Sequence, residues 1–420
     1  MPIVSNDHSR GALLVAARNP TAPRTGRIAV LETAVRSLQS AGRTVTVAAL
    51  TDEAGPDEWC GARVVRIPTM SLPRTVVAAG RALATRRCLN EAVFDSREIR
   101  ERVAAVAREC GAGFVVADTM RTVAAAEATG LPVVAHLDDL LSLRYASKEF
   151  AEGNDSVLGY MAGRFPPSLL PPLEWATRRA LGLEARRAVA REIHISRTVE
   201  VTALTGADEA RHLADRSERP VETLPMAVAP RPPVDPRSAE AARAVFLGVL
   251  HYGPNVAALR HLRDEVLPLL RADGLDLHVD VIGHAPEGTT EEFAGQGFTF
   301  LGYVDDLRDA LAGHRMFLSP VLSGTGVKTK VLDGMSVGLP VVATSLGVAG
   351  VPVTDGVEAL VGDTPRAFAD HVRALHDDPD LAERIGTAGR VLLATRMHPD
   401  LVADAWAAVA RRALAPKDAR

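Results

Sequence analysis

Short apolar runs alternate with longer amphipathic stretches along nearly the whole chain. In the first half these runs are rich in Val, Ala and Leu and lack the polar alternation of a half-exposed strand, as expected of strands buried on both faces. Between them, apolar residues recur at helical spacing, as at Ile28, Leu31 and Val35 in a predicted helix over residues 28–40. The predicted strands of this half are 12–17, 44–50, 63–67, 114–117, 133–137 and 193–196. The pattern predicts an α/β fold with parallel sheets and crossover helices.

A proline-rich segment interrupts the alternation. Six prolines lie within residues 220–236, and they exclude a helix interior there. The alternation then restarts, with predicted strands at 244–249, 277–282, 298–301, 315–319, 341–344 and 358–361. We therefore predict two doubly wound domains, 1–218 and 241–397, joined by a linker over 219–240 and followed by a C-terminal helix over 398–420 that packs back toward the first domain. In such folds, ligands bind at the carboxyl ends of the strands.

Lysine is rare in this chain, and half of the lysines lie in one short stretch. Only Lys148, Lys328, Lys330 and Lys417 occur, and two of them fall in the glycine-rich stretch 323–335. This stretch is predicted to lead from a strand into the N-terminus of a helix. A lysine there meets the positive end of the helix dipole, which is unfavourable unless an anion is also bound. The pattern predicts a site for a phosphate or a diphosphate.

Three other interpretations of this stretch can be weighed. A nucleotide-hydrolase P-loop requires glycine where Val327 stands, and a dinucleotide fingerprint requires glycine where Thr329 stands. A plain turn with exposed lysines is the third. On the predicted helix Lys330 and Asp333 share a face, whereas Lys328 does not share a face with Lys330. One lysine can thus face a diphosphate while Asp333 reaches a ribose; the alternative is that Asp333 simply pairs with Lys330.

Residues 324–344 resemble the donor-site segment of retaining glycosyltransferases of family four, which have the GT-B fold of two doubly wound, Rossmann-like domains facing a central cleft. Residues 245–255 resemble the opening of the donor domain in a branch of that family. The resemblance implies transfer of a sugar from a UDP-, GDP- or dTDP-linked donor to an acceptor hydroxyl on a small molecule or a glycan, with retention of configuration. It implies biosynthesis of a glycan or natural product, and neither a metal nor another cofactor. The alternatives are a protein that binds a nucleotide-sugar without transferring it, and an epimerase or phosphorylase on the same fold.

The resemblance also implies roles for residues on the donor side. Lys328 and Lys330 would bind the diphosphate, with Lys328 counted as catalytic because it stabilises the leaving group, and Asp333 would bind the ribose. The donor-binding residues implied in the second domain are Gly248, Gly324, Thr325, Gly326, Val327, Lys328, Lys330 and Asp333. The chain departs from the family pattern, because Thr325 and Asp333 stand where two glutamates are usual. Residues 248–255 also lack the arginine and lysine that many members place there.

The first domain carries a weaker resemblance at two places. Residues 19–27 resemble the loop whose glycine approaches the donor phosphates, which makes Gly26 the candidate, with Arg27 or Arg24 as phosphate partner. A turn in which Thr25 caps the following helix is an equally open interpretation.

The second place is the carboxyl end of a predicted buried strand. Three ionisable residues lie there, His136, Asp138 and Asp139. The family places a polar residue at this strand end beneath the transferred sugar, and the alignment puts Asp138 there as the catalytic candidate. His136 and Asp139 are the adjacent acceptor-side candidates, and simple helix caps are the alternative. Asp305 and Asp306 are interpreted as a cap for the helix from Leu307 rather than as a metal site.

Composition limits the class of protein. The net charge of −4 and the absence of a basic patch with interleaved aromatics argue against nucleic acid as a partner. The three cysteines, Cys60, Cys88 and Cys110, have no metal-type spacing and suit a reducing compartment. No signal peptide is recognisable, and no apolar run reaches the length of a membrane span. A cytoplasmic enzyme is expected.

Overall fold

The computed structural model describes residues 11–22, 25–146, 168, 170–229, 231–286, 288–324 and 326–416. These residues form two compact units. Of the described residues, the first unit contains those up to Ala227 and those from Pro399, and the second contains those from Val228 to His398.

The first unit is built on an eight-stranded sheet in the order β3-β4-β2-β1-β5-β6-β7-β8. All neighbouring strands are parallel except β3, which runs antiparallel to β4. The strands are β1 Gly11–Ala16, β2 Val45–Leu50, β3 Glu58–Trp59, β4 Ala62–Ile67, β5 Ala112–Asp118, β6 Val133–His136, β7 Val201–Leu204 and β8 Glu222–Thr223. The central strands β1 and β2 are buried along their entire length, which explains their continuous apolar sequence.

Helices cover both faces of this sheet. They are α1 Gly26–Ser40, α2 Leu72–Ala84, α3 Leu89–Ala92, α4 Arg97–Glu109, α5 Met120–Glu127, α6 Leu141–Ala146, α7 Leu170–Thr198, α8 Ala207–Ser217 and the C-terminal α15 Pro399–Leu414. Helix α15 packs against α1, and Val402, Trp406 and Val409 join the apolar core of this unit.

The second unit is built on a six-stranded parallel sheet in the order β11-β10-β9-β12-β13-β14. Its strands are β9 Glu240–Leu247, β10 His278–Ile282, β11 Phe298–Gly302, β12 His314–Ser319, β13 Val341–Ala343 and β14 Leu360–Val361. Its helices are α9 Gly253–His261, α10 Leu267–Ala272, α11 Leu307–Leu311, α12 Thr329–Ser336, α13 Pro365–Asp377 and α14 Pro379–Arg396, with a π-helical turn at Leu262–Val266. Each of the six strands predicted from the sequence is present, with small shifts of its ends.

One predicted strand of the first half is wrong. Residues 193–196 lie inside the long helix α7, because Ile195 extends the buried stripe that Leu181, Ala185 and Ala188 form along one helix face. The neighbouring His194 is therefore helical. The strand of this region is β7, which begins only after the helix ends.

Two very short strands were also missed, β3 and β8. Strand β8 lies within the predicted linker and adds an eighth strand to the first sheet. Beyond it, the backbone of Val234 donates a hydrogen bond to the carbonyl of Val337, which attaches this part of the linker to the second unit.

Candidate active site

The carboxyl edge of the second sheet is built from closely packed backbone. Gly248 follows β9 and Gly283 follows β10, and these strands are neighbours. A Cβ atom on Gly283 would lie 2.3 Å from the carbonyl oxygen of Gly248, and one on Gly248 would lie 2.7 Å from the Asn255 side chain. Glycine is therefore required at position 283, where the added atom would meet backbone, and is favoured at position 248, where Asn255 would have to move.

The lysine-containing loop lies at the same edge, between β12 and α12. Gly324 and Gly326 have φ angles of 108° and 71°, which favour glycine. Helix α12 begins at Thr329 with Lys328 as its N-cap residue. The Lys328 ammonium donates a hydrogen bond to the Gly326 carbonyl at 3.0 Å, so its charge lies over the loop at the positive end of the helix. Thr325 lies outside the described residues.

The neighbouring Val327 packs beneath the loop. A Cβ atom on Gly350 would lie 2.6 Å from a methyl carbon of Val327, so a glycine at position 350 accommodates this side chain. Val327 thus supports the loop from inside the second unit.

Lys330 lies in the first turn of α12 and is partly buried at the glycine-rich edge. Its ammonium donates a hydrogen bond to Asn255 Oδ1 at 2.8 Å and lies 4.5 Å from the centroid of the Phe246 ring. Asn255 Nδ2 in turn donates to the carbonyl of Val249. Burial, and to a smaller extent the charge of Lys328, lowers the pKa of Lys330 to about 7. Because this pKa is close to neutral pH, an anion bound next to Lys330 would favour its protonated form.

Sequence reasoning did not single out Asn255. A signal was present, because Asn255 is the last residue of the segment 245–255 that carries the family resemblance. Its partner is 75 positions away in the chain, however, and nothing local in the sequence connects the two.

Asp333 lies one turn further along α12. Its carboxylate forms an ion pair with Arg231 at 3.3 Å, and both side chains are about one-third exposed. Lys330 contacts Asn255 and Asp333 pairs with Arg231, so the alternative in which Asp333 pairs with Lys330 is not the arrangement found. The Arg231 partner, from the predicted linker, was not anticipated.

In the first unit, Arg27 connects the ends of two strands. It lies in the first turn of α1, donates a hydrogen bond to Asp118 at the end of β5, and forms an ion pair with Asp138 just after β6. The hydroxyl of Thr205, after β7, donates to Asp138 Oδ1 at 2.9 Å. The guanidinium predicted as a phosphate partner is thus already occupied by two carboxylates, and Asp138 is held from both sides.

The backbone at these strand ends is strained. Thr119 and Asp138, which follow β5 and β6, have φ angles of 68° and 67°. Non-glycine residues rarely adopt this conformation, and where they do the surrounding structure holds them at a cost of about 1–3 kcal/mol. The Thr119 backbone N–H donates to the carbonyl of His136, which joins the two strained strand ends. Such strain is concentrated at functional sites in proteins.

The two residues adjacent to Asp138 have different environments. His136 is 3% exposed, and its ring centroid lies 5.4 Å from that of Trp406. Burial, and then the charge of Arg27, lowers the pKa of His136 to about 4, so the imidazole is neutral at pH 7. Asp139 is also buried, and it pairs with Arg144. Of the three ionisable residues, Asp138 has the most accessible side chain, which is 18% exposed.

Two helix caps predicted from the sequence are confirmed. The hydroxyl of Thr25 accepts a hydrogen bond from the Ile28 backbone, so Gly26 is the first residue of α1. Asp306 caps α11 by accepting from the Asp309 backbone. Arg24, the second candidate phosphate partner, lies outside the described residues.

The architecture defines the class of fold. Two Rossmann-like units, each with a parallel sheet covered by helices, give the chain the GT-B fold of glycosyltransferases. Residues 241–378 match the family model of glycosyl transferases group 1, and this match lies within the second unit. Within the described ranges, no helix is both long and apolar enough to cross a membrane.

Three relatives illustrate the similarity. The solved structure of Anabaena Alr3699/HepE in complex with UDP and glucose has a TM-score of 0.60 at 13% identity, covering 94% of this chain and 98% of that one. Sucrose-phosphate synthase from Thermosynechococcus elongatus has a TM-score of 0.65 at 17% identity, covering 94% of this chain and 96% of that one. A curated "uncharacterized 44.6 kDa protein in cps region" of Klebsiella pneumoniae is 28% identical over an alignment of 137 residues, and the match covers 30% of this chain and 35% of that protein's length.

Proposed function

We propose that this protein is a retaining glycosyltransferase, which moves a sugar from a nucleotide-sugar to an acceptor hydroxyl. The observation that carries the proposal is the loop before α12. There, two glycines with positive φ, the ammonium of Lys328 and the partly buried Lys330 lie together at a helix N-terminus. This arrangement suits a diphosphate, and it lies in the segment that matches group 1 glycosyltransferases.

The donor side stabilises the leaving group. As the bond between the anomeric carbon and the phosphate oxygen breaks, negative charge develops on the nucleoside diphosphate. Lys328, the N-terminus of α12 and a protonated Lys330 offset that charge electrostatically. Because these groups supply the cation, we expect transfer without an added divalent metal, and activity that persists in a chelator tests this. Asp333 binds the ribose hydroxyls.

The acceptor side is contributed by the first unit. Asp138 supports the developing cationic sugar or orients the acceptor hydroxyl, and Arg27 favours its ionised form. With retention, the new bond forms on the face from which the diphosphate departs, and the hydroxyl proton passes to that leaving phosphate. In this proposal Arg27 positions Asp138 rather than binding the donor phosphate.

The first experiment is a donor screen. The purified protein is incubated with UDP-, GDP- and dTDP-sugars and a mixture of hydroxyl acceptors, and release of nucleoside diphosphate is measured. UDP-sugars are tested first, because the similar Anabaena protein binds UDP. We expect release with at least one donor, increased by a suitable acceptor. Binding of a donor without release from any combination would instead support a non-transferring protein.

A substitution of the loop lysine tests the site itself. Loss of a charged hydrogen bond to the diphosphate should weaken donor binding by about tenfold to more than a hundredfold in Lys328→Ala. Arg366→Ala is a matched control, because this cation of the second unit is half exposed and remote in sequence from the loop. Unchanged donor affinity in Lys328→Ala, measured by calorimetry, would show that the phosphate assignment is wrong.

A further inference from the structure

Three arginines gather at the carboxyl edge of the first sheet. Arg18 follows β1, Arg121 lies in the first turn of α5 after β5, and Arg144 lies in α6 after β6. Because β1, β5 and β6 are parallel neighbours, these strand ends meet at one edge. Burial lowers the pKa of Arg121; Tyr145 and Asp118 oppose this shift, and the charges of Arg18 and Arg144 add to it, so both of these arginines lie close enough to Arg121 to act on its charge.

Arg121 has neutral contacts only, as far as the described residues go. Its Nε donates a hydrogen bond to Asn90 Oδ1 at 2.5 Å, and its guanidinium carbon lies 5.6 Å from the centroid of the Phe94 ring. No carboxylate of the described chain forms an ion pair with it, and the nearby Asp118 is engaged by Arg27. Arg144 pairs with Asp139, whereas Arg121 has no carboxylate partner among the described residues. A partly buried cation without such a partner is costly, and an anion bound from outside would offset that cost.

Asn90 holds this arginine in a defined orientation. The Asn90 side-chain amide donates to the Tyr145 hydroxyl at 2.6 Å, and its backbone N–H donates to Glu184 at 3.1 Å. With the amide nitrogen occupied, the amide oxygen is directed at Arg121. The two terminal nitrogens of Arg121 make no hydrogen bond within the described part of the chain. A planar guanidinium presented in this way matches the oxygens of a phosphate or a carboxylate.

We propose that Arg121, with Arg18 and Arg144 beside it, binds an anionic group on the acceptor. The acceptor is thereby a hydroxyl compound that carries a phosphate or a carboxylate, such as a sugar phosphate or a uronic acid. Asp118, at the end of the strand that leads to Arg121, shares Arg27 with Asp138, so the anion site and Asp138 lie on the same edge of the sheet. This inference rests on the proposed transferase function and specifies its acceptor class.

The test uses the full chain with its donor site saturated by UDP, so that added anions cannot bind there. Methyl phosphate and glucuronate are titrated in low salt, and binding is followed by nuclear magnetic resonance. We expect one or both to bind, and Arg121→Gln to weaken that binding about ten- to a hundredfold. Arg121→Lys should retain part of it, because the charge remains while the planar fork is lost.

The control is Arg97→Gln, which removes an arginine of α4 that is 90% exposed and pairs with Glu101. It should leave binding of both probes unchanged. Binding of methyl phosphate alone supports a phosphorylated acceptor, and binding of glucuronate alone supports a uronic acid. Binding of neither probe, or equal binding by wild type and Arg121→Gln, would overturn the proposal.

Two measurements distinguish a loss of anion binding from misfolding of the variant and from failure of the proposed transferase function. The UDP affinity of Arg121→Gln should stay within about twofold of wild type, because Arg121 is not one of the proposed donor-binding residues. If Arg121→Gln fails to fold, Asn90→Ala replaces it, since that variant removes the orienting amide and keeps the charge; unchanged probe affinity in Asn90→Ala then overturns the proposal. If wild type does not bind UDP, the proposed transferase function is contradicted. Binding of the anion probes would still test the proposed role of Arg121.

Discussion

Lys330 donates a hydrogen bond to Asn255 Oδ1, which joins the helix after the glycine-rich loop to the helix that follows β9. The contact holds a lysine under the proposed diphosphate site without neutralising its charge, because its partner is an amide. Burial, and to a smaller extent the charge of Lys328, lowers the pKa of Lys330 to about 7. Its protonation state is therefore sensitive to an anion bound at the loop.

Donor binding should depend on pH through Lys330. A bound diphosphate favours the charged lysine and raises its pKa above 7, so binding takes up a proton. Affinity for UDP-glucose, whose diphosphate does not titrate in this range, should be highest below pH 7 and fall by up to about tenfold per pH unit above it. Calorimetry between pH 6 and 8.5 measures this. Lys330→Met should bind UDP-glucose more weakly and without the pH dependence. If the affinity of wild type does not change with pH, Lys330 does not bind the diphosphate.

Gly248→Ala should disturb the same site from the opposite side. The added methyl group would lie 2.7 Å from the Asn255 side chain, which must then move away from Lys330. Overpacking of this kind costs about 1–3 kcal/mol, and we expect a lower melting temperature together with weaker UDP binding. Gly80→Ala is the control, because nothing lies within 4 Å of the added methyl in α2. That change should raise stability by about 0.5–1 kcal/mol, and a neutral Gly248→Ala would contradict the close packing.

The role of Asp333 can be tested with a matched pair of ligands. If its carboxylate binds the ribose hydroxyls, wild type should prefer UDP over 2′-deoxy-UDP, and Asp333→Asn should lose most of that preference. The hydrogen bond to a charged group is worth about 1.5–3 kcal/mol, so the preference should be about tenfold or more. Arg231→Gln is the companion variant, because it removes the ion-pair partner and leaves the carboxylate. An equal preference in wild type and Asp333→Asn would remove Asp333 from the ribose site.

Asp138→Asn should separate catalysis from donor binding. Asparagine tolerates the positive φ of this position and can still accept from Thr205, but it loses the charge that faces Arg27. We expect kcat to fall by about a hundredfold or more with the donor affinity unchanged. Thr205→Val removes only the hydroxyl contact and should reduce kcat much less. Equal kcat values for wild type and Asp138→Asn would leave Asp138 with a structural role alone.

The local pattern was sufficient for most of the fold. Parallel strands buried on both faces need continuous apolar runs, and this requirement made all six strands of the second sheet recognisable. It failed at residues 193–196, because a buried helix face with Ile195 on it produces the same short apolar run. It also missed β3 and β8, which are two residues each and leave almost no pattern.

The sequence by itself determined the α/β class, the glycine-rich loop with its two lysines, and the strand-end position of Asp138, because each depends on residues close together in the chain. Only the tertiary structure decided their partners: Asn255 for Lys330, Arg231 for Asp333, and Arg27 for Asp138. It also placed Arg121 beside two other arginines. The physical reason is that strand order brings distant strand ends to one edge of a sheet, and no local periodicity encodes which ends become neighbours.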